Sequence, residues 1–239
     1  MKRVKILILL FMVLVLSGCN INYDVNIKAS KNDKNQVLEE IIFNFDNSEI
    51  SVNNISNYVT ETFKNYQNLG MLKDYKLKKD IGKKNSKIII YKKYSSLEEY
   101  VNSNEALQYA FKNVNYIDNY GDKGLNTTDK YIGQEIFNNE VSENIIDNIK
   151  ITYHFQNEIL ENNADIYDKS NNTLTWNLDK TRKDANITFQ YSNSKKYDII
   201  IKDYIKQNYI YLLLLVGIIV AAIVSIYLIR KKSFLSNEI

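Results

Sequence analysis

The chain has no proline, seven glycines, one cysteine, one histidine and one tryptophan among its 239 residues. Each scarcity excludes something. Without proline, and with so little glycine, a collagen-like repeat or a proline-rich stalk is ruled out. A lone cysteine forbids a disulfide framework within the chain. A lone histidine forbids a histidine-rich metal site. No single sign of charge dominates, with 31 Lys+Arg against 28 Asp+Glu. Hydrophobic residues make up 45% and charged residues 25%, which suits a folded core and excludes wholesale disorder or a long coiled coil. What is over-used is Lys, Asn, Ile and Tyr, as an AT-rich coding sequence would give. The Asn-x-Ser/Thr triplets at Asn54, Asn126, Asn171 and Asn186 are therefore expected by chance. The 19 tyrosines suit strands and need not line a ligand surface.

The two ends predict a location. Lys2, Arg3 and Lys5 precede an apolar run from Ile6 to Leu16, too short to span a bilayer comfortably. The run closes on Leu16-Ser17-Gly18-Cys19, which looks like a lipobox. Small residues suit a signal-peptidase cleft, and only a thiol supplies the thioether that carries a diacylglyceryl group. Residues 1–18 are read as a removed signal peptide, and Cys19 as the acylated N-terminus. Near the other end, Tyr209 to Ile229 is free of charge, and at ~1.5 Å per residue it reaches about 30 Å, the hydrocarbon thickness. Arg230, Lys231 and Lys232 follow, so the positive-inside rule places residues 230–239 in the cytoplasm. Residues 19–195 form the predicted ectodomain, 196–208 a juxtamembrane segment of undecided strand or helix character, and 209–229 a single-pass transmembrane helix. The six targeting cations and Glu238 lie outside the ectodomain. Residues 19–207 retain 25 Lys+Arg against 27 Asp+Glu, about −2, and no nucleic-acid footprint remains.

The ectodomain pattern is α+β. Tyr23, Val25 and Ile27 alternate with polar residues, and Val37, Ile41, Phe43 and Phe45 share a face, which predicts a hairpin about the turn at Lys31–Asn35. Val52, Ile55, Val59, Phe63 and Tyr66 recur at helical spacing between Ser51 and Gly70, predicting a helix near 51–69. Tyr75–Lys79 and Lys87–Tyr94 are strand candidates. Ser95 and Ser96, each three residues before Glu98 and Glu99, offer capping boxes for a second helix near 96–112. Gly121–Lys130 reads as a loop and Tyr131–Phe137 as a strand. Alternation about Ile149–Phe155, Leu174–Leu178 and Ile187–Tyr191 predicts an antiparallel meander that buries Trp176.

Several residues together carry a family resemblance. Cys19-Asn-Ile-Asn-Tyr-Asp-Val-Asn-Ile27 opens the ectodomain, Ile151-Thr-Tyr-His-Phe155 and Asn162-Asn163-Ala164-Asp165 follow far downstream, and Asn172-Thr-Leu-Thr-Trp176-Asn-Leu178 comes before a helix ending in basic residues. This resembles the LppM-type lipoprotein domain of Gram-positive bacteria, over roughly residues 19–195. The resemblance implies a lipidated Cys19, no defined catalytic residue, and at most an envelope-lipid or host-surface interaction.

Candidate chemistry is sparse. His154 is the one general-base candidate. It is expected to face solvent beside Thr152 and Lys150, and no Gly-x-Ser-x-Gly elbow accompanies it. Gly121-Asp-Lys-Gly124 lacks the Gly-Lys-Ser/Thr ending of a phosphate loop. Asp118, Asp122 and Asp129 lack EF-hand spacing. No catalytic residue, metal or cofactor is expected. The expected protein is a non-enzymatic, membrane-anchored surface lipoprotein binding an envelope lipid, precursor or membrane partner. Its rivals are an envelope enzyme or assembly factor, and an accessory or sensor subunit. For the last, Gly217-x-x-x-Ala221-x-x-x-Ser225 has the spacing that helix packing uses.

Overall fold

A computed structural model describes residues 19–28, 36–46, most of 57–131, and 146–236. The chain falls into two units that divide between Lys195 and Lys196. The first is α+β with sheet dominating. Eleven strands run in order as β1 (Cys19–Lys28), β2 (Gln36–Asp46), β3 (Lys76–Ile81), β4 (Asn85–Tyr94), β5 (Phe111–Asn119), β6 (Asp122–Lys130), β7 (Ile146–Phe155), β8 (Asn157–Asn162), β9 (Ile166–Asp168), β10 (Thr173–Asp179) and β11 (Thr188–Lys195). Two short helices, α1 (Leu97–Ser103) and α2 (Glu105–Ala110), lie between β4 and β5.

The strands form two sheets, not one meander. The larger has the order β3-β4-β2-β1-β7-β10-β9, and the smaller β5-β6-β11-β8. In the larger sheet β1 pairs antiparallel with β2, as the hairpin pattern predicts, but parallel with β7 on its other side. The expected meander is corrected at β11, which leaves β7 and β10 to pair with β6 and β8 in the second sheet. Aromatic packing explains the departure. Phe189 and Tyr191 of β11 meet Tyr153 and Phe155 of β7 with tilted rings, the centroids 4.9 Å apart for Tyr153–Phe189 and 5.6 Å for Phe155–Tyr191. Such pairs contribute ~0.5–1.5 kcal/mol beyond area burial. Trp176 lies in this core, fully buried, as alternation with Leu174 and Leu178 predicts.

Local chemistry explains the remaining differences. The helix expected near 96–112 is two helices broken at Asn104, whose extended backbone (φ −79°, ψ 104°) ends α1 while its side chain accepts from Leu107 N to cap α2. Phe111 belongs to β5. The Ser96–Glu99 box forms in part: Ser96 Oγ accepts from Glu99 N at 3.0 Å, but Glu99 reaches back to Ser95 N at 2.6 Å. Between 57 and 68 the described residues are helical, with Phe63 buried, and Gly70 follows with φ +78°. Ser51, Val52, Ile55 and Val59 lie outside the described residues, as do the turn at 31–35 and nearly all of 131–137. The expected loop at Gly121–Lys130 is instead β6, joined to β5 through Tyr120 and Gly121, both with positive φ. Asp122, Asn126 and Asp129, residue types common in turns, stand inside this strand.

The second unit is a helix, α3 (Tyr197–Ser236), so residues 196–208 run into helix rather than strand. Among the described residues no single helix is long and apolar enough to cross a membrane. The pair Tyr197–Tyr211 and Leu213–Val224, bent by 61°, meets that length and composition together. The span predicted at 209–229 is not found as one helix among the described residues.

Candidate functional site

Leu16, Ser17 and Gly18 lie outside the described residues. Cys19 opens β1, and its backbone is already in register with Ile146 of β7. The residue expected to carry lipid is therefore the first residue of an interior strand.

His154 sits on the outer face of the larger sheet, in register with Asn26 on one side and Thr173 on the other. Its Nδ1 is 3.1 Å from Thr173 Oγ1, and its ring is half-buried. Asp118 and Asp122 flank the β5–β6 turn, whereas Asp129 lies near the other end of β6 and pairs with Lys112 at 3.7 Å. The three acids do not converge. No group of three His, Cys, Asp or Glu residues suited to a metal exists among the described residues.

The polar constellation that does converge is one that sequence reasoning missed. Glu39 shares its face of β2 with Val37, Ile41 and Phe43, so the pleat turns it into the core, where it is fully buried. Four donors meet its carboxyl group. Tyr23 (2.8 Å) and Asn104 Nδ2 (2.9 Å) reach Oε1, while Tyr94 (2.7 Å) and Tyr75 (2.9 Å) reach Oε2. This all-donor shell suits a carboxylate. The network continues outward. Tyr100 lies 2.8 Å from the Tyr23 hydroxyl, and Tyr153 lies 2.9 Å from Tyr100. Each phenol has one proton, and Tyr23 gives its own to Glu39. Tyr100 must then donate to Tyr23, and Tyr153 to Tyr100. Burial pushes the hydroxyls of Tyr23, Tyr75 and Tyr94 well above the ordinary tyrosine range, and the Glu39 charge pushes them further. For Tyr100, burial leads and the neighbouring Tyr153 and Glu39 add to it. The Lys92 ammonium lies 4.9 Å from the Tyr94 ring centre and 5.5 Å from that of Tyr75.

This cluster joins β1, β2, β4, the α1–α2 junction and the residue before β3 through one carboxyl group, and reaches β7 through Tyr100. Its chemistry is cohesive: it fixes the helix pair against the sheet, and Glu39 is fully buried. The signal in the sequence was parity, since an acid at an inward position of a strand must find donors.

A second cluster gathers residues of the quoted motifs. Asn163 Oδ1 accepts from Trp176 Nε1 at 3.1 Å and from Thr188 N at 2.9 Å, while its Nδ2 donates to Asn186 O at 3.0 Å. Asp165 Oδ2 accepts from Asn177 N at 2.8 Å and also pairs with Arg182. Asn172, with φ +52°, donates from Nδ2 to Phe155 O (2.9 Å) and Asn157 O (2.6 Å). These side chains tie β10 to β11 and close the β7–β8 corner, a structural task.

No protein-family model matches the chain, and no curated protein matches it. Among solved structures, the chain is similar to the NMR structure of the folded domain of Mycobacterium tuberculosis LppM. That similarity has 10% identity and a TM-score of 0.42, over 77% of this chain and 94% of that one.

Proposed function

We propose that the protein is a non-enzymatic surface lipoprotein, anchored through Cys19 and through the C-terminal helix, whose ectodomain binds a lipid, a precursor or a membrane protein at the outer leaflet. The observation that carries this reading is where β1 begins. A strand paired on both sides starts at the residue that the Leu16–Cys19 motif marks for acylation, so no spacer separates lipid from fold. An extended chain advances only ~3.3 Å per residue. A diacylglyceryl group on Cys19 would therefore hold that end of the larger sheet within about 10 Å of the headgroups. A partner embedded in the same membrane suits such a domain better than a distant surface does. The basic Arg230–Lys232 cluster supports a cytoplasmic C-terminus.

The test is intact-mass analysis of the membrane fraction together with proteolysis of whole cells. The expected results are loss of residues 1–18 with a diacylglyceryl increment on Cys19, a digestible ectodomain, and a protected tail from Arg230. An unmodified, full-length N-terminus would sink the lipoprotein reading, and tail digestion without lysis would sink the topology.

A further inference from the structure

We infer that Tyr197–Tyr211 is not part of the bilayer span but an interfacial helix, lying along the outer leaflet with one apolar face against the lipid. This rests on the proposal that the helix beyond it enters the membrane. Three observations carry it.

The first is the pattern of side chains. On a helix of 3.6 residues per turn, Tyr197, Ile201, Tyr204 and Tyr211 fall on one stripe, with Ile205 at its margin. The four are 70%, 57%, 62% and 72% exposed. The opposite side carries Lys202, Lys206 and Asp203, together with Ile210 and the buried Ile199. Asn208 is the one polar residue on the apolar stripe, and its side-chain amide donates to Tyr204 O at 2.9 Å. An exposed aromatic and aliphatic face with lysines behind it is the composition that settles at a headgroup boundary.

The second is the change of composition at the bend. Tyr197–Tyr211 contains Asp198, Lys202, Asp203 and Lys206, whereas Leu213–Val224 contains no charge. Burying four charges in hydrocarbon is costly, while leaving them at the interface is not. Tyrosine accounts for four of the first fifteen positions, at 197, 204, 209 and 211, and its amphipathic ring prefers the interface.

The third is the bend itself. The two segments are inclined by 61°. Spanning helices tilt by about 20° from the bilayer normal. A partner segment inclined by 61° then lies roughly 40–80° from that normal, nearer the membrane plane than the membrane axis. The bend thus converts a span into an anchor and a float. The occupant of the apolar stripe is acyl-chain and glycerol surface, not a second protein. Lysines on the far side leave the stripe itself uncharged, as a lipid-facing surface requires.

Nitroxide labels on single introduced cysteines test this in the full-length chain, reconstituted into phosphatidylglycerol–phosphatidylcholine vesicles. The unsubstituted chain sets any background from Cys19. Labels at Ile201→Cys and Tyr204→Cys should be relaxed by oxygen more than by a water-soluble nickel chelate, at a depth of about 5–10 Å. Labels at Lys202→Cys and Lys206→Cys should show the reverse preference, and Ile218→Cys should report the deepest position. If 201 and 204 are as open to the nickel chelate as 202 and 206 while 218 stays deep, the interfacial helix is wrong and the membrane anchor stands. If 218 is also open to the chelate, the anchor fails and takes the interfacial helix with it. All five positions are exposed, so the substitutions do not disturb a core.

Discussion

Tyr94 donates to Glu39 across neighbouring strands at 2.7 Å, the shortest of the four bonds to this fully buried carboxyl group. Removing one donor and removing the acceptor should therefore differ sharply. Tyr94→Phe leaves Tyr75 on Oε2 and should cost about 1.5–3 kcal/mol, the range for a hydrogen bond to a charged group. Glu39→Ala strands four donors at once, and about 3–5 kcal/mol is expected by analogy with breaking a buried charged pair. Urea melts of the two variants check the order. Equal losses would mean that the cluster is not the unit described here.

The tyrosines around Glu39 have folded-state pKa values raised above the ordinary one near 10, chiefly by burial. A raised pKa means that the folded state holds the proton more tightly than the unfolded state. The stability involved is complete below the unfolded value and is lost as pH climbs beyond it. Absorbance at 295 nm during alkaline titration should show Tyr116 ionising at about 12, where burial and the Asp118 charge place it. The cluster should ionise only together with loss of the fold. Smooth ionisation of all tyrosines near 10 in a still-folded protein would contradict the buried network.

Asn163 joins Trp176 of one sheet to Thr188 and Asn186 at the start of a strand in the other. Asn163→Ala leaves the indole N–H and a backbone N–H short of an acceptor, and a loss of about 1–3 kcal/mol is expected. The single tryptophan makes the change visible. Emission should stay blue in the native chain and broaden or shift red in the variant. An unchanged melting curve would show that water replaces the amide without penalty.

Gly124 faces Gln190 in the β6–β11 pairing, and a Cβ there would clash with the Phe189 carbonyl oxygen and lie 3.2 Å from Gln190 Cα. Both neighbours are backbone and cannot swing aside. Gly124→Ala should cost about 1–3 kcal/mol, as overpacking does. Gly70, which has open space around its missing Cβ, supplies the contrast through its positive φ alone. Thermal melts of both alanine variants measure the difference, and an innocuous Gly124→Ala would refute the close approach.

Strands with a clean period of two were legible in the sequence, as were the buried Trp176 and the Ser96 cap. Each depends on neighbours a few residues away. What was not legible depends on distant partners. The parallel pairing of β1 with β7, and the transfer of β11 to a second sheet, are decided by which aromatic faces meet in space. The β5–β6 hairpin was hidden because Asp122, Asn126 and Asp129 look like loop residues, although they occupy a strand. Glu39 was passed over because an acid was not expected where the pleat demanded an apolar residue. The five tyrosines of its network lie 16 to 114 positions away in the chain.

The register of Cys19 with Ile146 has a consequence in time. If the chain is exported as proposed, it presents β1 first and β7 more than a hundred residues later, so one side of β1 stays bare throughout that passage. Contacts of such sequence separation make folding slow, and an exposed strand flank invites the wrong neighbour. Only β2 is at hand to shield it early. A tether that holds the first residue in place would hand β7 a fixed target when it emerges, and would keep the waiting strands of separate molecules from drifting into one another.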